Sequence, residues 1–549
     1  MNGKRTFHTM FVRASLVLCV AGMLNAQVTF DRILHADKEP QNWLTYSGTT
    51  MSQRYSTLAQ ITTGNVNNLQ LQWAFQARSL EKFEATPLVV DGTMYLTQAP
   101  NDVVALDAAT GEIKWLYSYS PSREARLCCG RVNRGVAILG NTLFMATIDA
   151  HLLALDARDG KVLWNIAVAK PEAGYAMTHA PLIVKDKVIV GTAGGEYGIR
   201  GFIAAYDAAT GKEAWKFYTI PGPGEPGHET WAGDSWEHGG ASVWVTGSYD
   251  PESNQTYWGI GNPGPDINGD HRAGDNLYSD SVVALDADTG KLKWHFQFTP
   301  HDLWDYDAVQ IPVLVDLNWQ GRPRKVMMWA NRNGYFYVLD RTNGQFLLGK
   351  PFVKVTWAKG LDEAGRPMRA PGTEPTAEGI DNVFPGHIGG TNWYSPSFSP
   401  RTGLFYIPAW ENLRDRFIKD EAEKFEEGKR YAGGAFQPAR PSLRGAQGQK
   451  YTDDSFGAVR AIDPQTGERK WEFKMNDLTM SGILTTASDL LFTGGREGFF
   501  HALDARTGKL LWKVNAGGEI AMGPMTYQVN GKQYVAFSAG SSLFVYGLK

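Results

Sequence analysis

One short segment recurs along the chain, and this repeat constrains the fold more than any other feature of the sequence. Its clearest copy, ALDAATGEIKW, occupies Ala105–Trp115. Similar copies end at Trp164, Trp215, Trp294, Trp471 and Trp512, a weaker copy ends at Leu348, degenerate copies end at Trp258 and Ile407, and LQLQWAF around Trp73 supplies a first or last strand. The repeat aspartates at 107, 156 and 207 are 49 and 51 residues apart, a spacing that suits four-stranded units with insertions.

Each copy predicts two strands joined by a tight turn. The Asp side chain can accept hydrogen bonds from its own downstream backbone, and the Gly of Thr-Gly supplies the positive φ that closes the hairpin. A single four-stranded blade cannot bury both of its faces, so blades pack around an axis, with the recurring Trp as a wedge between neighbours. Some of the nine copies share a blade. We therefore predict an all-β, eight-bladed propeller with tryptophan-docking repeats.

Composition excludes several other classes of protein. A hydrophobic fraction of 43% and a net charge of −3 are ordinary globular values and provide no electrostatic footprint for nucleic acid. Three cysteines cannot form a disulfide scaffold, and no CxxC or CxxCH motif is present, which excludes zinc-ribbon, thioredoxin-like and attached haem c sites.

The first residues have the pattern of a secretory signal peptide. Lys4, Arg5 and Arg13 precede an apolar run, Ala14–Leu24, and Ala26 offers a small residue for cleavage. A membrane anchor is the alternative, but the run is shorter than the ~20 apolar residues that a spanning helix needs. We therefore expect a signal peptide over residues 1–26, a propeller domain over 27–549, and no membrane span.

The two remaining cysteines, Cys128 and Cys129, are adjacent in a compartment that permits disulfides. Neighbouring Cα atoms are ~3.8 Å apart, below the usual ~4.4–6.8 Å of a disulfide, so a bond between them closes a strained ring. The alternative is a pair of reduced, buried thiols.

The repeat and the CCGRVNRG segment resemble those of the eight-bladed pyrroloquinoline quinone (PQQ) dehydrogenases, the family of methanol and other alcohol dehydrogenases of the bacterial periplasm. The resemblance runs from about Trp43 to Gly547. It implies a disulfide between Cys128 and Cys129 against one face of PQQ, Trp244 stacked on the other face, and Arg134 paired with a quinone carboxylate. The other implied cofactor contacts are Glu84, Thr147, Ala193, Gly194, Gly195, Ser242, Arg332, Asn392 and Trp393.

The same resemblance implies a metal site and a catalytic base. Its ligands would be Glu196, Asn262, Asp305 and Asp307, which all offer hard oxygen atoms. Asp305 matches the family's base. Asp307 stands where calcium-dependent members have a small uncharged residue and lanthanide-dependent members have Asp. Three carboxylates balance a trivalent ion, so we expect one lanthanide ion, with Ca²⁺ as the alternative.

These parts imply a periplasmic enzyme that oxidises an alcohol by hydride transfer to PQQ. Because no CxxCH motif is present, we expect a separate cytochrome c to accept the electrons; the resemblance also leaves a homodimer open. Met480 stands where many family members have Trp, which widens the substrate side. The alternatives are a sugar or polyol dehydrogenase of the same fold, or a non-catalytic propeller scaffold for envelope assembly. The charge run within Ile418–Arg430 is typical of a solvated helix face.

Overall fold

Eight four-stranded antiparallel sheets make up the fold. The computed structural model describes residues 27–421, 424–438 and 454–549. The sheets are arranged as the blades of a propeller, which confirms the predicted all-β, eight-bladed architecture. The predicted signal peptide, residues 1–26, lies outside the described residues. Within the described ranges, no helix combines the length and the apolar character needed to cross a membrane.

The blades are numbered along the chain, and their strands are given from the innermost outward. Blade 1 consists of Leu88–Val90, Thr93–Gln98, Asp102–Asp107 and Ile113–Tyr117, and blade 2 of Ala137–Leu139, Thr142–Ala146, His151–Asp156 and Val162–Ala167. Blade 3 consists of Leu182–Val184, Lys187–Gly191, Phe202–Asp207 and Glu213–Tyr218, and blade 4 of Ser248–Asp250, Gln255–Gly259, Ser281–Asp286 and Leu292–Gln297. Blade 5 consists of Val313–Trp319, Arg322–Ala330, Tyr335–Asp340 and Phe346–Pro351, and blade 6 of Ser397–Ser399, Leu404–Glu411, Phe456–Ile462 and Arg469–Met475. Blade 7 consists of Leu484–Thr486, Leu490–Gly494, Phe499–Asp504 and Leu510–Asn515, and blade 8 of Met525–Val529, Lys532–Ala539, Ser542–Leu548 and Leu69–Gln76.

Blade 8 joins the two ends of the propeller. Its outer strand, Leu69–Gln76, comes from before blade 1 and pairs in antiparallel register with Ser542–Leu548. The segment around Trp73 is thus the last strand of the ring. The two degenerate copies of the repeat form the inner hairpins of blades 4 and 6 and share those blades with regular copies, as predicted.

The repeat tryptophans dock successive blades. The indole of Trp115 donates from Nε1 to the carbonyl of Ala157, 3.1 Å away in the next blade, and it packs on Gly160 so closely that a Cβ there would lie 2.7 Å from the ring. Trp73, Trp164, Trp215 and Trp471 make the same hydrogen bond to the alanine after the next repeat Asp. The prediction of inter-blade wedges is confirmed, and the repeat Gly is needed for this contact as well as for its positive φ.

The strand order places functional loops at one end of the ring. In an antiparallel four-stranded blade, the hairpins between strands 1 and 2 and between strands 3 and 4 leave from one end. Loops between strands 2 and 3, and connections to the next blade, leave from the other end. The Asp-Thr-Gly turns join strands 3 and 4. Every predicted site residue lies either in a loop between strands 2 and 3 or in a connection to the next blade. All of these residues therefore lie at the end of the ring opposite the Asp-Thr-Gly turns.

Few elements lie outside the blades. Tyr55–Ser56 adds a parallel strand to blade 7. Two small hairpins pair Ala358–Leu361 with Pro367–Arg369 and Asp415–Lys419 with Gly434–Pro438. The short helical elements are the α-helix Phe30–Leu34 and the 3₁₀ turns Ala36–Lys38, Val66–Asn68, Pro171–Ala173, Gly195–Tyr197, His228–Thr230 and Ser235–His238.

Candidate active site

A buried arginine is the centre of one half of the site. Arg134 forms an ion pair with Glu84 at 2.8 Å, and both side chains are about nine-tenths buried. Its guanidinium lies over the rings of Trp393 and Trp244, with centroid distances of 4.3 and 5.1 Å. Nη1 donates to the hydroxyl of Thr178 at 3.0 Å. Four sequence-distant loops therefore meet around one cation.

This arrangement leaves donors for an anionic ligand. Arg134 Nε is buried and has no hydrogen-bond partner in the described part of the chain. Burial raises the pKa of Glu84 above its ordinary value while the Arg134 charge opposes that rise, so the pair is held in a water-poor setting. Asn392 is also buried, and its amide bridges the Ile388 carbonyl and the Trp393 backbone N–H. A flat aromatic polycarboxylate such as PQQ fits this mixture of indole faces and a guanidinium.

Thr178 belongs to this cluster but was not predicted from the sequence. It lies four residues before the inner strand of blade 3. Glu84, Trp244, Trp393 and Met480 hold the same position before the inner strands of blades 1, 4, 6 and 7. This constant offset is the signal that identifies the axis-facing residue of a blade. By contrast, the hydroxyl of predicted Thr147 donates to Asp149 within blade 2.

Cys128 and Cys129 form a disulfide, and both residues are exposed. The alternative of two reduced, buried thiols is wrong on both counts. Cys129 Sγ lies 3.9 Å from Glu196 Oε1, so the disulfide borders the first predicted metal ligand. Cys128, Cys129 and Glu196 each offer one possible metal-ligand atom, and these three atoms lie within 4.8 Å of one another. Among the described residues, no other three Cys, His, Asp or Glu side chains meet this distance.

The Ala193–Glu196 loop depends on glycine. Ala193 pairs with Ala176 through two backbone hydrogen bonds, which fixes the start of the loop. Gly194 has φ +115°, and a Cβ there would lie 2.0 Å from the Gly174 carbonyl oxygen. A Cβ on Gly195 would lie 3.3 Å from Ser242 Oγ and 3.8 Å from Asn262 Oδ1. The predicted contacts Gly195, Ser242 and Asn262 are therefore neighbours.

Arg332 binds both carboxylates of the predicted base loop. Its Nη2 donates to Asp305 Oδ2 at 2.8 Å, and its Nη1 bonds to Asp307 Oδ2. Asp305 has φ +64°, in the left-handed region that is uncommon for a residue other than glycine. Burial raises the pKa of Asp305 well above its ordinary value, and Arg332 opposes that rise.

Asn262 joins this loop to a further carboxylate. Its backbone N–H donates to Asp307 Oδ1 at 3.0 Å, and its side-chain Nδ2 donates to Asp266 Oδ1 at 2.9 Å. Asp266 is 1% exposed, and burial together with the Glu196 charge raises its pKa well above the ordinary value. A Cβ on Gly261 would lie 2.1 Å from Asp307 Oδ1, so this carboxylate rests against bare backbone.

The donor chemistry fits a hard cation. Glu196, Asn262, Asp305 and Asp307 supply only oxygen, and the three carboxylates concentrate negative charge in a buried region, where the Asp307 charge raises the pKa of both Asp305 and Glu196. Arg332 pairs with Asp305 and Asp307, while the Glu196 carboxylate faces the disulfide. A cation at this position would compete with Arg332 for Asp307.

The insertion of blade 6 returns over the site. Phe425 stacks on His238 with ring centroids 3.5 Å apart, and the Tyr431 backbone N–H donates to the Glu196 carbonyl at 2.6 Å. Within the charge run, Ile418 and Lys419 end the strand Asp415–Lys419, and the other described residues are irregular chain and turn, so the expectation of a helix face is wrong there. Met480 packs beside Trp393, and its Sδ lies 3.6 Å from Lys82 Nζ.

Comparisons with known proteins agree with this geometry. The family model described as "PQQ: Glucose/ethanol/alcohol dehydrogenase, beta-propeller domain" matches residues 43–360 and 363–535. The chain is 40% identical to the quinoprotein alcohol dehydrogenase PedH of Pseudomonas putida, over 96% of this chain and 91% of that protein. A solved quinohemoprotein alcohol dehydrogenase, ADHIIG of Pseudomonas putida, superposes with a TM-score of 0.89 at 36% identity, covering 96% of this chain and 83% of the other. A europium-containing methanol dehydrogenase superposes with a TM-score of 0.87 at 35% identity, covering 94% and 100%. The chain therefore belongs to the family of PQQ-dependent alcohol dehydrogenases.

Proposed function

We propose that the chain is a periplasmic quinoprotein dehydrogenase that oxidises alcohols to aldehydes or ketones with PQQ and one lanthanide ion. The observation that carries this proposal is the 3.9 Å approach of Cys129 Sγ to Glu196 Oε1, because it joins the disulfide to the carboxylate site, at the same end of the propeller as the Arg134–Glu84 pair. A non-catalytic scaffold would not require a disulfide, a set of carboxylates and a buried Arg134 at the same end of the propeller. The europium in a related methanol dehydrogenase supports the lanthanide assignment.

Each half of the site would hold one group. Trp244, Arg134 and Asn392 would hold PQQ against the disulfide, and Glu196, Asn262, Asp305 and Asp307 would hold the cation. When bound, the quinone supplies a two-electron acceptor for hydride and the cation supplies a Lewis acid.

The chain's own residues prepare the proton transfer. Asp305 is the base: a carboxylate oxygen takes the proton of the substrate hydroxyl. Arg332 Nη2 holds Asp305 Oδ2 at 2.8 Å and favours its ionised form against the effect of burial. In the other half of the site, the indoles of Trp244 and Trp393 lie against the Arg134 guanidinium. Met480, at the blade 7 position of this ring, gives a flexible wall suited to alcohols larger than methanol.

The electrons must then leave the protein. We propose a separate cytochrome c as the acceptor, since the sequence has no CxxCH motif for an attached haem. We further propose that residues 1–26 are a signal peptide for export to the periplasm.

The test uses metal-free protein supplied with PQQ and either La³⁺ or Ca²⁺. Dye reduction is followed with primary alcohols, polyols and aldoses, and kcat/KM is expected to be highest for La³⁺ with an alcohol. Asp307→Ala should lose activity with La³⁺, whereas Asp270→Asn, a surface carboxylate that pairs with Lys419, should not. No activity with any metal refutes the enzyme; activity with Ca²⁺ alone, unchanged in Asp307→Ala, refutes the lanthanide. Faster turnover of aldoses would favour the sugar dehydrogenase.

A further inference from the structure

A fourth carboxylate stands directly behind the predicted metal ligands. Asp266 is 1% exposed, and its carboxylate accepts a hydrogen bond from the side-chain amide of Asn262. An amide that donates from Nδ2 to Asp266 must direct its Oδ1 the other way. Oδ1 indeed lies 3.8 Å from the Cβ position of Gly195, on the side of the Glu196 loop.

We propose that Asp266 is a positioning residue of the metal site, which turns the Asn262 oxygen toward the cation and adds a fourth negative charge that favours a trivalent ion. This inference rests on the proposed function and deepens it.

The orientation argument follows from hydrogen-bonding capacity. A carboxylate only accepts hydrogen bonds, so its presence at 2.9 Å selects the nitrogen end of the Asn262 amide. The Asn262 backbone N–H is at the same time bound to Asp307 Oδ1. The main chain and the side chain of Asn262 are thus both fixed, and its Oδ1 is already oriented for binding a cation. Outer partners of this kind typically contribute ~10–100-fold to metal affinity.

The charge argument concerns the choice between cations. Coulomb energy is proportional to the product of the charges, so one carboxylate at a fixed distance attracts a trivalent ion one and a half times as strongly as a divalent ion. The Asp266 carboxylate lies 2.9 Å from the Asn262 side-chain nitrogen, and the Asn262 backbone N–H binds Asp307, so its charge stands one side chain away from two predicted ligands. Arg430 acts on Glu196 and Asp266 with the opposite sign, but it is exposed and screened by water.

Burial of Asp266 is difficult to explain by stability alone. Placing a carboxylate in a water-poor interior beside other carboxylates costs free energy unless a cation compensates it. Arg272 lies nearby, but it binds the backbone carbonyls of Pro265, Asp266 and Asp302 rather than the Asp266 carboxylate. A cation held by the neighbouring oxygens would supply the missing compensation.

The experiment compares Asp266→Asn, Asp266→Ala and the surface control Asp270→Asn in full-length protein with PQQ. Tb³⁺ luminescence, excited through tryptophan, gives the affinity for a trivalent ion, and competition with Ca²⁺ gives the divalent affinity. Asp266→Asn removes the charge and keeps the shape; we expect it to weaken Tb³⁺ binding by ~10–100-fold. On a logarithmic scale, the loss of Tb³⁺ affinity in Asp266→Asn should be about one and a half times the loss of Ca²⁺ affinity. Asp266→Ala should lose more, since the orientation of Asn262 is also lost, and Asp270→Asn should bind as the wild type does.

Thermal melting of the metal-free variants separates this role from a structural one. Relief of a buried charge should leave the Tm of Asp266→Asn unchanged or higher than that of the wild type. Unchanged Tb³⁺ affinity in Asp266→Asn, or a lowered metal-free Tm with equal losses for both ions, would overturn the inference. If the wild type binds only Ca²⁺, the proposed lanthanide is refuted. In that case, weaker Ca²⁺ binding by Asp266→Asn supports the positioning role, and unchanged Ca²⁺ binding refutes it. A wild type that binds neither ion refutes both.

Discussion

The docking of Trp73 on Gly111 provides a direct test of what holds the blades together. Gly111 has φ +77°, and a Cβ there would lie 2.5 Å from Cε3 and 2.8 Å from Cδ2 of the indole. The ring would have to move, and with it the 3.3 Å hydrogen bond from Trp73 Nε1 to the Ala108 carbonyl. Gly531 is a matched control, because it has the same φ of +77° and no atom within 4 Å of its Cβ position.

The two substitutions share one cost and differ in another. Gly531→Ala should lose only ~1–2 kcal/mol of unfolding free energy, the cost of a left-handed alanine. Gly111→Ala adds ~1–3 kcal/mol for overpacking. Loss of the indole hydrogen bond costs ~0.5–1.5 kcal/mol more. Gly111→Ala should therefore be about 2–4 kcal/mol less stable than Gly531→Ala, as the midpoints of guanidinium unfolding followed by tryptophan fluorescence would report. Equal midpoints for the two variants would refute the docking argument.

Three further outcomes follow from the described contacts. Glu84→Gln leaves the buried Arg134 without its carboxylate and should cost ~3–5 kcal/mol, and PQQ should raise its Tm more than that of the wild type; equal shifts would contradict carboxylate pairing at Arg134. Burial lowers the pKa of His501 to about 4, below the ~6.5 of an unfolded chain, so stability that is present above pH 6.5 is lost as the pH falls toward 4. His501→Phe should remove about 2 kcal/mol of that loss, measured as the change in the free energy of unfolding between pH 7 and pH 4.5, and an unaltered pH dependence would contradict it. Phe425→Ala removes the stack on His238 and should speed tryptic cleavage of the blade 6 insertion without altering global unfolding, whereas cleavage at the wild-type rate would show that the stack does not hold the segment.

The fold was largely predictable because the repeat encodes its turns locally. Asp107 accepts hydrogen bonds from the backbone of Ala109 and Thr110, and Gly111 closes the turn, all within a few residues. Seven copies of this turn join strands 3 and 4 of seven blades, and the strand around Trp73 completes the eighth. Outside blades 4 and 6, the first strand of a blade was not predictable in this way, since these inner strands have no copy of the repeat turn after them.

The site was predictable only where a local motif marks it. Adjacent cysteines are visible in any sequence, and so is the spacing of Asp305 and Asp307. The bond between Asn262 and Asp266 depends on the path of a loop, and Thr178 meets Arg134 only because two blades converge. The charge run that ends at Arg430 has a helical composition, but none of its described residues is helical, and its Phe425 stacks on His238.

The closure of blade 8 also orders events in time. Gln72 Nε2 donates to the Gly547 carbonyl, 475 residues further along the chain. During synthesis or export the first strand must therefore wait, with an unpaired edge, until nearly all of the remaining chain has emerged. An unpaired edge strand is a template for association with other chains, and contacts of such long range form slowly. Until Ser542–Leu548 is available, Leu69–Gln76 is thus an edge of the folding chain that is open to pairing with other strands.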